Sequence, residues 1–184
     1  MSRPRLVHVT TTDISLALLL GPQLRAFADA GFAVSTASAP GPYVEQLRDW
    51  GIAHVPLQHA TRSFAPHRDV RALAELRAVF RSLRPDVVHT HNPKPGIYGR
   101  LAARAAGVPV VVNTVHGLYA QPGDPWPKRA FVYGLERVAA ACSHAELVQN
   151  PEDLETLAAI GVPRRKLRLL GNGVDLSRFE PAAD

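Results

Sequence analysis

The 184-residue chain holds a single cysteine, Cys142, which excludes an internal disulfide and a multi-cysteine zinc site. It lacks any apolar run near the ~20 residues needed to cross a bilayer. The longest, Ile14 to Leu20, is broken by Gly21-Pro22. Arg3 and Arg5 are not followed by a long apolar stretch and a cleavage site, so no secretory signal is expected. A reducing cytoplasm is the compartment these absences suggest. Neither G-x-G-x-x-G nor G-x-x-x-x-G-K-[ST] occurs, so a dinucleotide fingerprint and a P-loop are unsupported. Aromatic residues are scarce, at 7%, and do not interleave with the basic ones as a base-stacking platform requires. Nucleic acid is therefore not an expected partner.

What remains is an ordinary globular composition, 46% apolar and 20% charged, in a chain of single-domain length. The formal net charge is +5, and the excess is uneven. Arginine is dense from Arg62 to Arg104, where Asp69, Glu75 and Asp86 are the only acids, and Arg164-Arg165-Lys166 forms a second cluster. Arg77, Arg81 and Arg84 recur at i, i+4, i+7, one helical face. Such a face suits the headgroups of an anionic membrane, or it is simply a solvated surface.

Short β-branched runs alternate with longer helical periods. Strands are predicted at Leu6–Thr10, Ala33–Ser38, His54–Pro56, Val87–Thr90, Val110–Thr114, Glu146–Gln149 and Leu167–Leu170. Leu16, Leu20, Leu24 and Phe27 stripe one helix from Ser15 to Ala30; Val70, Leu73, Leu76, Phe80 and Leu83 stripe another, ended by Arg84-Pro85. Further helices are predicted at Tyr43–Trp50, Gly96–Ala106, Lys128–Ala141 and Pro151–Ile160. This alternation predicts an α/β fold: a single doubly wound, Rossmann-like domain with a mainly parallel sheet of about seven strands. Ligands bind such sheets outside the carboxyl ends of the strands, so function is sought in the loops after them.

The loop after the first strand, Thr11-Thr12-Asp13-Ile14-Ser15, offers hydroxyls and a helix start that suit an anion. Asp13 or Ser15 equally suits an ordinary N-cap. After the fourth strand, His91, Asn92 and Lys94 lie where a polar ligand would reach them, whereas His89 belongs in the sheet. His89 and His91 share a face at i, i+2, but no third ligand follows at local spacing, and no metal site is expected. After the fifth strand come Asn113, His116, Gly117 and Tyr119, with the glycine allowing backbone to approach a sugar closely. A lone histidine there is as often structural.

Four segments together resemble the family 4 glycosyltransferases: Asp86-Val87-Val88-His89-Thr90-His91; Gly96 to Pro109; Val115-His116-Gly117; and Leu170-Gly171-Asn172-Gly173-Val174-Asp175 through Phe179. The opening Thr-Thr-Asp-Ile-Ser and its leucine-rich helix are similar to members that build capsular and exopolysaccharides. The resemblance implies the N-terminal, acceptor-side half of a GT-B fold over residues 1–170. Residues 171–184 would begin the linker to a donor-binding half that the chain does not contain. It further implies transfer of a sugar from a nucleotide diphosphate sugar, the co-substrate, to a glycan or lipid-linked acceptor, with retention and without a tightly bound cofactor or metal.

By the same resemblance, His116 matches the family histidine near the reaction centre and is the expected catalytic residue. Asp13 and its neighbours match the loop that closes on substrate. Many members carry adjacent glycines where this chain has Thr12-Asp13, and many carry serine where it has Asn150. The isolated chain is expected to be inactive without its second half, and the protein to be cytoplasmic, peripheral at the inner face of the membrane. Alternatives are a catalytically inactive sugar- or nucleotide-binding module and a UDP-sugar 2-epimerase-type half.

Overall fold

The structure, a computed structural model, describes residues 3–171 apart from Arg62, Phe64, Asn92 and Pro122. Asn92 and the segment from Asn172 through Phe179 therefore lie outside the described residues.

Seven strands form one parallel sheet: β1 (Arg5–Thr12), β2 (Ala33–Ala39), β3 (Ala53–Pro56), β4 (Val87–His91), β5 (Val110–Val115), β6 (Ala145–Val148) and β7 (Leu167–Leu169). Their order is β3-β2-β1-β4-β5-β6-β7. All six pairings are parallel, so the predicted doubly wound fold is present and the switch point falls between β1 and β4. The helices are α1 (Gly21–Asp29), α2 (Val44–Asp49), α3 (Pro66–Leu83), α4 (Lys94–Ala106), α5 (Trp126–Ala141) and α6 (Pro151–Ala159).

Two apolar clusters occupy the two sheet faces. Val7, Val9, Val88 and Val111 pack with Leu76 and Phe80 of α3 and Ala102 and Ala103 of α4. Leu16, Leu20 and Leu24 pack with Val34, Leu47 and Ile52 on the other side. Gly99 of α4 sits close over β4, where an added Cβ would stand 2.8 Å from Thr90 Cγ2.

One predicted element is divided. The helix expected from Ser15 to Ala30 is a π-helical turn, Ser15–Leu19, followed by α1. Pro22 has no N–H to offer the preceding turn, and Leu20 instead donates to the Ser15 carbonyl at 3.0 Å, one residue further back than in an α-helix. The displaced turn leaves Leu18 and Leu19 exposed beside the C-terminal end of β1. The arginine face of α3 is also modified. Arg77 is half-buried and reaches the Ala105 carbonyl at 3.4 Å. The C-terminal end of α3 abuts the start of β1, where the Arg5 guanidinium meets the Leu83 carbonyl at 3.0 Å.

Candidate active site

A cavity of about 370 Å³ opens at the carboxyl ends of β1, β4 and β5. Thr10, Thr11 and Ser15 supply hydroxyls from the end of β1 and the turn after it. His91, Pro93 and Lys94 come from the end of β4 and the start of α4, and His116 and Tyr119 from the loop after β5. Leu19 and Leu20 complete the wall. Thus Thr11, Ser15, His91, Lys94, His116 and Tyr119, all expected from sequence, meet in one place. No carboxylate lines this cavity among the described residues.

Behind the wall lies a line of imidazoles. His8 and His89 are register partners on β1 and β4, and His91 is two residues further along the same face. His8 Nδ1 lies 3.1 Å from His91 Nε2, and His91 Nδ1 lies 3.0 Å from His116 Nε2. His89 Nε2 meets the Thr114 hydroxyl at 2.7 Å. The rings of His89 and His91 stack at 4.3 Å between centroids, those of His91 and His116 at 5.3 Å. Burial disfavours the imidazolium at every position, and the neighbouring rings add to the effect. His89 is pushed down to about 3, and His8 and His91 fall well below the usual range. His116 is lowered chiefly by burial, against an opposing hydrogen bond with the Gln149 side chain.

Ring nitrogens of His8, His89 and His91 lie within 4.8 Å of one another, so the fold supplies the third histidine that local spacing did not. His8 was missed because it comes from another strand; its register with His89 was the available signal. Two of the three rings hydrogen-bond each other and the third binds Thr114.

Four expected site residues have other engagements. Asn113 is fully buried on the opposite sheet face, accepting from Thr90 Oγ1 at 2.8 Å and donating to Glu146 at 2.7 Å. It shares a face with Val111, not with His91, because side chains alternate along β5, and it does not line the cavity. Asn150 caps α6, accepting from the Asp153 N–H at 2.7 Å and donating to the Asp153 carboxylate at 2.9 Å, and does not line the cavity. Asp13 is buried and caps no helix; its carboxylate accepts from the Ile14 N–H at 2.9 Å and the Tyr43 N–H at 2.7 Å, tying together the loops after β1 and β2. Lys94 does face the cavity, but its ammonium already holds the Asp69 carboxylate and the Ser63 carbonyl, each at 2.6 Å. Thr12 and Gly117 flank the cavity rather than line it; Gly117 turns the chain at φ 128°.

A second cavity, about 380 Å³, lies at the opposite end of the sheet among Arg104, His144, Arg165 and Lys166. Lys166 there caps α5 by donating to the Ala140 and Ser143 carbonyls, and this end of a parallel sheet is not where ligands bind.

A doubly wound domain with this parallel sheet has the form of one Rossmann-like half of a GT-B fold. The chain belongs to Glycosyltransferase Family 4, whose model matches residues 23–178. Among curated relatives, it is 37% identical over 143 residues to the Escherichia coli UDP-Gal:alpha-D-GlcNAc-diphosphoundecaprenol alpha-1,3-galactosyltransferase, covering 77% of this chain and 37% of that protein. It is 26% identical over 187 residues to the capsular polysaccharide biosynthesis glycosyltransferase CapM of Staphylococcus aureus, covering 98% of this chain and 47% of that one. A glycosyltransferase from Rickettsia africae superposes with a TM-score of 0.72 at 17% identity, over 99% of this chain and 46% of that chain. The chain therefore spans less than half the length of these relatives. Among the described residues, no helix is long and apolar enough to cross a membrane.

Proposed function

We propose that this chain is the acceptor-side half, residues 1–170 with the linker beginning at 171, of a transferase that moves a sugar from a nucleotide diphosphate sugar to a lipid-linked or glycan acceptor with retention. The observation that carries it is the cavity itself: in a family 4 chain, His116 and His91 meet the hydroxyls of Thr10, Thr11 and Ser15 at the carboxyl ends of the strands. Family membership favours this over an epimerase-type half or an inactive module.

Sugar transfer builds positive charge at the anomeric carbon and negative charge on the departing diphosphate. Fixed donors in a cleft stabilise that separation better than water, which must reorganise. His116 would orient a sugar hydroxyl, while Thr11 and Ser15 hold hydroxyl or phosphate oxygens. Tyr119, 66% exposed, would cover the mouth. Lys94 keeps its charge paired with Asp69 and so acts more by shaping the wall than as a free cation. The diphosphate would be held mainly by a donor-binding half, closing on this one and excluding water that would hydrolyse the donor.

A lipid-linked acceptor implies a cytoplasmic protein peripheral to an anionic membrane. The apolar rim formed by Leu18, Leu19, Tyr119 and Trp126 surrounds the cavity end of the sheet and fits that contact better than the α3 arginines at the far end. Equal binding to anionic and neutral vesicles would remove the electrostatic part of this reading.

The decisive experiment measures transfer from UDP-sugars to polyprenyl-diphosphate-linked acceptors by a protein joining this chain to a donor-binding half. His116→Ala is expected to lower kcat by about 10²- to 10³-fold with the fold intact, the effect of losing one aligned donor. Unchanged transfer would overturn the site.

A further inference from the structure

The imidazoles behind the cavity form a directed chain, and the direction has a consequence for His116. We propose that His91 and His8 are positioning residues that fix the tautomer of His116, holding its proton on Nδ1 and its Nε2 lone pair against His91, so that this ring cannot act as a base. The proposal rests on the reading of the cavity as a sugar site but is measurable without it.

Each N···N contact, His8 Nδ1 to His91 Nε2 at 3.1 Å and His91 Nδ1 to His116 Nε2 at 3.0 Å, needs one proton between its two nitrogens. A neutral imidazole has one N–H and one lone pair, so His91 must accept through one nitrogen and donate through the other. The chain then has two possible senses. If His116 donates to His91 and His91 to His8, the last proton rests on His8 Nε2, which is buried and has no partner. If His8 donates to His91 and His91 to His116, that same atom carries only a lone pair. Buried N–H groups without acceptors are rarer in proteins than under-used acceptors, which selects the second sense.

In that sense His116 Nε2 is occupied as an acceptor, and the ring's single proton lies on Nδ1. The far end agrees. Gln149 is placed beside His116 by its backbone bond to the Val115 carbonyl at 3.3 Å, and its side chain hydrogen-bonds His116 in the way that favours a protonated ring nitrogen. The rings are kept neutral by burial and mutual proximity, with no carboxylate hydrogen-bonded to His8 or His91 among the described residues. An unconstrained His116 could exchange tautomers and present a lone pair to a sugar hydroxyl. The buried pair removes that freedom, so no ring lone pair of His116 is left for a substrate hydroxyl.

The test is a long-range ¹H–¹⁵N correlation spectrum of the uniformly ¹⁵N-labelled 184-residue chain at pH 7, in which protonated and bare ring nitrogens have well-separated shifts. The expected wild-type result is bare Nε2 and protonated Nδ1 for His116, with His8 also protonated on Nδ1. Protonated Nε2 on His116 would overturn the proposal, and no variant is needed to see it. Signals of His8 and His91 that move on adding EDTA would also overturn it, because metal ligation would have replaced the hydrogen bonds.

His91→Phe, which keeps a flat ring, is expected to shift His116 toward protonated Nε2. His91→Asn, whose amide N–H can still donate, is expected to restore part of the wild-type state. In the two-half transferase, His91→Phe is expected to lower kcat by about 10- to 100-fold with KM nearly unchanged, the scale of a lost orienting partner. A wild-type kcat for His91→Phe would refute the functional part. If instead His116→Ala leaves transfer intact while the spectrum shows the expected tautomer, the sugar-site reading has failed and the hydrogen-bond chain has not.

Discussion

Replacing Arg100 by leucine removes the only cation from a fully buried polar cluster. The guanidinium, 0% exposed, donates to Glu136 at 2.6 Å, to Glu146 at 2.7 Å and to the Gly96 carbonyl. Burial alone would lower its affinity for a proton, but Glu146 and Glu136 outweigh that and raise it. Glu146 has further support from Asn113 at 2.7 Å and Ser143 at 2.5 Å. The shift at Glu136 is upward, with burial the largest cause even with Arg100 present. Removing one partner of a buried ion pair costs about 3–5 kcal/mol, because the remaining charge has no water. At about 2–4 °C per kcal/mol for a chain of this size, the melting temperature should fall by roughly 6–20 °C. In the variant, the orphaned Glu136 carboxylate takes up a proton more readily folded than unfolded. Its destabilisation is therefore absent below the unfolded value of about 4.3 and grows as pH rises above it. Calorimetry at pH 5 and pH 8 should show a smaller deficit at pH 5. Replacing Arg100, Glu136 and Glu146 together by apolar residues should recover most of the loss. A deficit under about 1 kcal/mol, or one that ignores pH, would refute this account.

Acid should destabilise the protein through its buried histidines. Their folded values lie below the unfolded one of about 6.5, so stability is complete above that pH and is lost as pH falls toward about 3, the value for His89. Each contributes about 1.4 kcal/mol per pH unit in that window; urea midpoints that do not move between pH 7 and 5 would exclude it. Gly117→Ala should cost about 1–3 kcal/mol purely through backbone strain at φ 128°, since an added Cβ would meet nothing within 4 Å; an unchanged melting temperature would contradict this. Asp13→Ala should cost about 1.5–3 kcal/mol and speed hydrogen exchange at the Ile14 and Tyr43 amides, whose acceptor it removes.

The strands and helices were legible because burial on a parallel sheet writes short β-branched runs between helical periods. All seven strands fall within a residue or two of their predicted ends. The break in the first helix was legible in part, since Pro22 was visible but the π-turn it induces is a hydrogen-bond choice. Position after a strand found most of the cavity. It does not bring in Asn113, where the face a side chain takes matters more than its distance from the strand end, or Asn150, whose capping role is local; neither lines the cavity. The Arg100 cluster could not be read at all, because its partners are 36 and 46 residues away and meet only through the register of the sheet.

That register has a guard built into it. The central strands are polar on both sides: Thr90, Asn113 and Glu146 form a hydrogen-bonded line that ends on Arg100 on one face, while His89, His91 and Thr114 occupy the other. Purely apolar strands would tolerate sliding by one position at modest cost, trading valine for valine. Here a slip of β5 would carry Asn113 among the imidazoles and lay Val112 against the ion cluster, and a slip of β6 would strip Arg100 of Glu146. Misaligned pairings are thus rejected by unmatched charge as well as by shape, so the arrangement that places His91 beside His116 is the one the sheet can close on.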